Sequence, residues 1–500
     1  MGLCPAMRSR PDRPVLAPWR VSCVHYPGQP GHTWGTAPRP GPLPPPGHDD
    51  RTIKTMTDAR RAGARNVTRA VRLLPRDARL LLLSSFLGSL PIGLLLVFFP
   101  LYLHDLGLRT FLIGGIFTAA GLGASVLLLP IGPLADRFGR RPFLIAGTVL
   151  PALGFAIFAV TTDTPWLVVA SMLGGVGFSG GLGGALTTAT FNPLLVGTVP
   201  PHQRTTVLSW GEGVWTLAMA CGSLLAGVPA LLARMRLVTA LAADRAVFIG
   251  CGLLILCAAL VLLPVRDRSA LAMSEGPTAA TLPPDRPRTE WPLLLKLAVF
   301  FALQGAGLGL VVQLLPLWFA LRFGAPSTEI APWFAASQIV GLVLLPFVPA
   351  LARRLGVGGV VLLSVGLSTL LLVGVPLAPV LPVAGLFYVL RTGVVAMQWP
   401  AQLSFLQGAV DPRQRGLATS VSLSCWSVAM ALLPTLAGYF MDRRLFLWPL
   451  ALGIGCYAAA AVWFYLTLRR TPLPEEPARA AMADHEVNSE RLAMAPERQS

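Results

Sequence analysis

Two ionisable residues stand inside long apolar stretches of this sequence, where each charge needs a chemical reason. Glu212 lies within Ser-Trp-Gly-Glu-Gly, and Arg391 lies within Phe-Tyr-Val-Leu-Arg-Thr-Gly. A charge inside a membrane costs roughly 2.5–3.5 kcal/mol on insertion scales, so such residues commonly serve transport. Glu212 is a candidate to carry a proton or bind a cation, and Arg391 to be its partner or to anchor an anion. A structural ion pair, or snorkelling towards the headgroups, is the competing interpretation for both.

Neutral amides form a second set of candidate solute-binding residues in the same apolar stretches. Gln304 and Gln313 belong to the seventh apolar segment, Gln398 and Gln402 to the tenth, and Asn192 to the end of the fourth. Amides in such segments either line a polar cavity or join helices by hydrogen bonds. Both uses fit these positions.

The elements that would position these residues are twelve apolar segments. The chain is 54% hydrophobic and only 13% charged, with a mean hydropathy of +0.64, whereas soluble domains carry about 25% charged residues. Each segment is close to the ~20 residues that a helix needs to cross a bilayer and lacks the alternation of a membrane strand. The sequence predicts an all-α integral membrane protein with spans at 80–103, 111–131, 142–162, 165–190, 205–230, 246–264, 292–321, 328–352, 357–377, 380–408, 416–440 and 445–468.

Polar stretches divide these spans into two groups of six. The tail before them is basic and rich in Pro and Gly, which predicts disorder, and we expect the native protein to begin at or near Met56 rather than within 1–55. The predicted organisation is a tail at 1–78, an N-terminal half at 79–264, a cytoplasmic linker at 265–291, a C-terminal half at 292–470 and a disordered tail at 471–500.

The charge distribution indicates orientation in a membrane, not nucleic-acid binding. The net charge of +17 is almost all arginine, scattered through short connections without interleaved aromatic residues. The loops that lie inside when the amino terminus is inside carry the larger share, which predicts a bacterial inner (plasma) membrane protein with both termini in the cytoplasm. The seven cysteines form no CxxC pair or Cys/His cluster, so we expect no metal or other cofactor.

The two halves repeat each other in sequence. Pro201-His-Gln-Arg204 before the fifth span matches Pro412-Arg-Gln-Arg415 before the eleventh. Further matches at similar spacing are Trp215 with Trp426, Met219 with Met430, Gly227 with Gly438, and Gly139 with Gly356. Duplicated six-helix halves in membrane transporters bind a solute between them and rock to change access.

A loop motif after the second span resembles the G-x-L-a-D-r-x-G-r-r motif of the major facilitator superfamily. Glycine permits close helix approach, the aspartate can cap a neighbouring helix, and the arginines can pair with a carboxylate, so the loop would latch one access state. In the second half, Arg353 stands where the acid should be. The motif residues here are Gly132, Asp136, Arg137, Gly139, Arg140 and Arg141.

The resemblance implies the fold of that superfamily, with twelve helices in two six-helix halves, and secondary active transport. We expect a monomer that exports a small amphipathic or drug-like solute across the lipid bilayer, driven by the proton gradient. Two family signatures are incomplete, because Ser171 replaces an arginine in the fourth span and Ala226-Gly227 replaces Gly-Pro in the fifth.

Other functions compete with proton-driven export. Uptake or exchange of an anionic metabolite, anchored by Arg391, is the alternative within transport. A membrane-embedded enzyme is less favoured because the sequence has no HExxH motif and no GxSxG motif with its partners. A non-transporting sensor would need a folded soluble module that the polar tails do not provide.

Overall fold

The computed structural model describes residues 74–174, 180–200, 203–235, 239–265, 291–410 and 414–469. These residues belong to one compact unit, Thr68–Ser500. Throughout the described ranges the regular structure is helical, with no β-strand. Most of both predicted tails and nearly all of the predicted linker lie outside the described residues, so their expected disorder stays a prediction.

The regular structure of the described part of the chain consists of fifteen α-helices and a short 3₁₀ turn, Leu345–Phe347. Their bounds are α1 Arg76–Asp105, α2 Thr110–Phe138, α3 Arg140–Val160, α4 Thr164–Leu173, α5 Gly181–Gly197, α6 Arg204–Leu225, α7 Val228–Arg234, α8 Ala240–Leu262, α9 Trp291–Val311, α10 Leu315–Phe323, α11 Ser327–Leu344, α12 Val348–Leu377, α13 Leu381–Ala409, α14 Arg415–Asp442 and α15 Leu447–Thr467.

These helices confirm the predicted all-α membrane fold. Nine helical stretches in the described part are long and apolar enough to cross a membrane, and shorter apolar helices, Thr110–Val126 and Thr164–Leu173, lie in the first parts of the second and fourth predicted spans. One stretch, Ser327–Leu377, has 51 residues and contains the eighth and ninth predicted spans. We call the end of the bundle that carries Gly139, Val265 and Trp291 the linker end, and the opposite end the distal end.

Several predicted spans are broken where proline prevents a continuous helix. Pro316 lacks the N–H that would bond to the carbonyl of Val312, so the seventh span divides into α9 and α10. Pro229 likewise cannot bond to Leu225, where α6 ends and α7 follows. Apolar length had predicted a single uninterrupted helix at each of these two positions.

The predicted repeat between the halves has a structural counterpart at two glycines. Gly139 separates α2 from α3 with φ 90° and ψ 147°, and Gly356 interrupts α12 with φ 72° and ψ 163°. Residues other than glycine rarely adopt this backbone conformation. The chain therefore reverses direction at matching places in both halves, and the eighth span ends at this kink.

Close helix contacts repeat in the same way. In the N-terminal half, Gly93 of α1 lies directly against the backbone of Met219 in α6. In the C-terminal half, Gly309 of α9 lies directly against the backbone of Met430 in α14. Met219 and Met430 are one of the pairs matched in sequence, so the repeat extends to the packing of the helices.

We expect Gly309→Ala to destabilise the fold, because the added methyl group would collide with the carbonyl oxygen of Met430. Overpacking of this kind costs about 1–3 kcal/mol. Gly366→Ala in α12 is the matched control, since nothing lies within 4 Å of a methyl group there. Thermal unfolding of the purified variants should show a lower midpoint for Gly309→Ala alone, and equal midpoints would contradict the packing argument.

Candidate functional site

Arg391 lies in the interior of the C-terminal half. It is the eleventh residue of α13, about 15 Å along the helix from its distal end. Only 2% of the residue is exposed. Its guanidinium carbon lies 5.1 Å from the ring centroid of Tyr457 in α15, and Tyr388, one turn earlier in α13, is also buried.

Three more buried polar side chains continue from Arg391 towards the linker end, and we call the four residues together the polar row. Gln398 and Gln402 follow Arg391 on the same face of α13, at helical spacings of seven and eleven residues. The amide nitrogen of Gln398 donates a 3.0 Å hydrogen bond to the side-chain oxygen of Gln304 in α9. The predicted set of Arg391, Gln304 and Gln398 is thus gathered in one half.

Glu212 lies on α6, a helix of the N-terminal half that contacts α11 of the other half, whereas the polar row lies in the C-terminal half. Its neighbour Gly213 faces Leu342 of α11, in the other half. Met219, two turns further along the same face, packs on Gly93 of α1, whereas Leu217 is exposed on another side of α6. The Glu212 side chain is exposed. Further along the helix, at Met219, the same face of α6 packs against α1.

The remaining candidates do not join either group. Gln313 is buried in the break between α9 and α10, nine residues towards the distal end from Gln304. Asn192 is an exposed residue of α5. Within the described residues no ion pair links Glu212 to Arg391, so the structure does not realise the predicted pairing of these two charges.

The loop motif resembling the superfamily latch lies at the linker end. Arg141 donates a hydrogen bond to the carbonyl oxygen of Leu263, at the end of α8. Arg137 is exposed and its guanidinium carbon lies 5.6 Å from the ring centroid of Phe138. Gly132 and Asp136 are described only as helical backbone, so capping by the Asp136 side chain stays a prediction.

A second latch, absent from the sequence prediction, joins the two halves at the distal end. Asp442 is the last residue of α14, and its carboxylate accepts hydrogen bonds from the first residues of α2. The donors are the backbone N–H and the hydroxyl of Thr110, at 2.7 and 2.5 Å, and the backbone N–H of Phe111, at 3.1 Å. A carboxylate at a helix amino terminus is favourable, whereas at the end of its own helix it opposes the dipole. Asp442 is therefore stabilised mainly by the other half.

Further contacts between α2 and α14 continue from this latch towards the middle of the bundle. The hydroxyls of Thr118 and Thr435 lie 2.7 Å apart. The hydroxyls of Ser125 and Ser427 also lie 2.7 Å apart. The seam between the halves is thus closed by polar contacts, each of which could exchange a protein partner for water.

The repeat shows that this latch exists on only one side of the bundle. Gly438 of α14 lies against Thr110 of α2, and its sequence match Gly227 lies against Thr328, at the start of α11. These two contacts are equivalent in the two halves. The position matching Asp442 is Leu231, an apolar residue of α7, so a carboxylate caps α2 but none from that position caps α11.

Sequence reasoning missed Asp442 and Tyr457. The signal for Asp442 was its position, because an acid at the carboxyl end of a long helix needs a partner from elsewhere. Tyr457 carries no such signal. Its relation to Arg391 depends on the packing of α13 against α15, which no local pattern reveals.

Comparison with known sequences identifies the family of this arrangement. A sequence model of the Major Facilitator Superfamily matches residues 81–407. A curated relative is the multidrug resistance protein MdtH of Enterobacter sp. (strain 638), 29% identical over 291 residues. That alignment covers 57% of this chain and 66% of MdtH, just under two thirds of the relative's length.

Solved structures share the fold at low sequence identity. A D-xylose–proton symporter superposes with a TM-score of 0.60 at 14% identity, covering 80% of this chain and 99% of the symporter. A bacterial homologue of the human lysosomal transporter Spinster, in an inward-facing and occupied conformation, gives a TM-score of 0.60 at 16% identity, covering 79% and 96% of the two chains. The family model that matches residues 81–407 shows that the chain belongs to the Major Facilitator Superfamily, and the solved structures share its fold.

Proposed function

We propose that this protein exports small amphipathic or drug-like solutes by alternating access, coupled to the proton gradient. The observation that carries the proposal is the seam at the distal end, where the Asp442 carboxylate caps α2 of the other half. A latch of a few hydrogen bonds between two packed halves can break without unfolding either half. Rocking of the halves about a central site would then open the distal end.

The direction of transport rests on the relatives. The fold alone leaves direction open, because the D-xylose–proton symporter also superposes on this chain. The similarity to a multidrug resistance protein favours export, and the small number of charges in the spans favours a largely apolar solute. Glu212, an exposed carboxyl group on α6, is our candidate for the proton-carrying group.

Membrane placement and assembly belong to the same proposal. We place the protein in the inner (plasma) membrane as a monomer with both termini in the cytoplasm. The linker end would then face the cytoplasm and the Asp442 latch the opposite side. This orientation rests on the excess of arginine in the predicted inner loops.

The test is transport by purified protein in proteoliposomes under an imposed pH gradient. An interior made acidic drives accumulation by proton–solute exchange, whereas an acidic exterior drives uptake by proton–solute symport. We expect fluorescent drug-like solutes to accumulate only with the acidic interior, and a protonophore to abolish the accumulation. Accumulation only with the acidic exterior would overturn export, and equal transport without any gradient would overturn proton coupling.

Import or exchange of an anionic metabolite is a second candidate, favoured by buried Arg391. The same proteoliposomes distinguish it, because a carboxylate metabolite would accumulate with the acidic exterior or exchange against itself. Drug-like solutes would then show no gradient-driven accumulation.

A further inference from the structure

We propose that Arg391 binds an anionic group, either the carboxylate of an amphipathic solute or an inorganic anion, inside the C-terminal half. The inference rests on the proposed function only in treating the chain as a transporter of small solutes. It adds the chemical class of the ligand and the residue that holds its charge.

The first observation is which atoms of Arg391 lack partners. Its Nε and Nη2 atoms are fully buried and have no hydrogen-bond partner among the described residues. These two nitrogens share one edge of the guanidinium plane, and their N–H bonds point in nearly the same direction. Such an edge forms paired hydrogen bonds with the two oxygens of a carboxylate. The unpaired atoms are therefore the ones that bind an anion best.

The second observation is that no acid in the described part of the C-terminal half lies near Arg391. Between 292 and 470 the sequence has three acids, Glu329, Asp411 and Asp442, and Asp411 lies outside the described residues. Glu329 and Asp442 lie at the distal end of the bundle. Arg391 lies in mid-helix, so neither of these two can reach it. A buried charge without compensation is strongly unfavourable, which makes an external counter-charge the simplest remedy.

The third observation is that the position of the guanidinium is built into the fold. Tyr457 packs so closely on Gly307 of α9 that a methyl group there would lie 2.8 Å from the ring. The tyrosine ring lies beneath the guanidinium of Arg391, and such a cation–π contact is stronger when it is desolvated. This contact fixes the arginine but supplies no negative charge, so it leaves the Nε–Nη2 edge available.

The fourth observation is the balance of donors in the polar row. The side-chain nitrogens of Gln304 and Gln402 also lack partners among the described residues, against one unpaired acceptor, the oxygen of Gln398. With Arg391, unpaired donors outnumber unpaired acceptors, which favours an anion over a cation. Clusters of buried apolar residues lie beside the row, as an amphipathic solute would require.

The test is binding to the purified full chain in detergent, followed by thermal unfolding. The probes are octanoate with its neutral amide as control, and chloride with a bulky sulfonate at equal ionic strength. We expect octanoate or chloride to raise the midpoint of thermal unfolding in a saturable way. Arg391→Met should raise the dissociation constant by about 10- to 100-fold. Arg391→Lys should recover part of the affinity. Arg322→Met, at an exposed arginine of the same half, should bind as the wild type does.

The outcomes of this test show whether the anion is a solute carboxylate or an inorganic ion, and they distinguish failure of this proposal from failure of the proposed function. A response to octanoate alone assigns the site to the solute, and a response to chloride alone assigns it to an inorganic anion. The proposal is overturned if the wild type shows no saturable response, or if Arg391→Met binds with the affinity of the wild type. If Arg391→Met does not fold, unchanged affinity in Arg391→Lys overturns the proposal instead. Anion binding without export in proteoliposomes would refute the proposed function but not this anion site. Export without anion binding would refute the anion site but not the proposed function.

Discussion

Asp442→Ala is expected to shift the access equilibrium towards an open distal end by about 10- to 100-fold. The substitution removes a carboxylate that accepts two backbone N–H groups of α2 in the other half and shares the Thr110 hydroxyl with the carbonyl oxygen of Gly438. Hydrogen bonds to a charged group contribute about 1.5–3 kcal/mol each, and water recovers part of this when the latch opens. The variant should fold normally, because both halves keep their own packing.

The measurement is the distance between spin labels at His104 and Leu447, two exposed distal positions in opposite halves, in a background without the seven native cysteines. The wild type should show mainly the short distance, and Asp442→Ala a larger long-distance population. Asp163→Ala is the matched control, since Asp163 is an exposed distal acid that makes no capping hydrogen bond. Identical distributions in all three proteins would show that Asp442 does not hold the distal end closed.

Glu212→Gln is expected to reduce proton-driven accumulation to the level of protein-free liposomes while leaving solute exchange intact. Glutamine keeps the size and polarity of the side chain but cannot release or take up a proton. Because α6, the helix that carries Glu212, packs against α11 of the other half, rocking of the halves would alter the surroundings of this carboxyl group, as proton coupling requires.

Two assays on the same proteoliposomes separate coupling from binding. Accumulation is measured under an imposed pH gradient, and exchange is measured with labelled solute at equal pH on both sides. Asp163→Asn, the neutral substitution at the exposed control position, should match the wild type in both assays. Gradient-driven accumulation by Glu212→Gln would remove Glu212 from the coupling mechanism, and loss of exchange as well would mark it as a solute-binding residue.

The features that the sequence predicted well are those with a local signature. Apolar length predicted the spans, and the spacing of matched residues predicted the repeat that Gly139 and Gly356 display in their backbone conformations. The loop around Asp136 pointed to the family on its own, because its glycine, acid and arginines fall in register. Helix breaks at Pro229 and Pro316 were missed, since apolar length alone conceals them.

Contacts between distant segments had no local signature. Asp442 and Thr110 are separated by 332 positions, so their meeting depends on the assembly of both halves. Pairing of Glu212 with Arg391 was one of two roles expected for the arginine, and no such ion pair occurs among the described residues, because Arg391 faces Tyr457 of α15 inside its own half while Glu212 belongs to the other half. Charge inside a span identifies a residue worth examining, but its partner is determined by helix packing.

Alternating access between the halves is tested most directly by a reversible lock on the distal seam. The hydroxyls of Thr118 and Thr435 lie 2.7 Å apart across that seam, so cysteines at both positions, in a background without native cysteines, should form a disulfide on mild oxidation. Each single cysteine variant is the control. We predict that oxidation of the double variant abolishes solute transport in proteoliposomes and that a reducing agent restores it. Undiminished transport by the fully cross-linked protein would contradict the account.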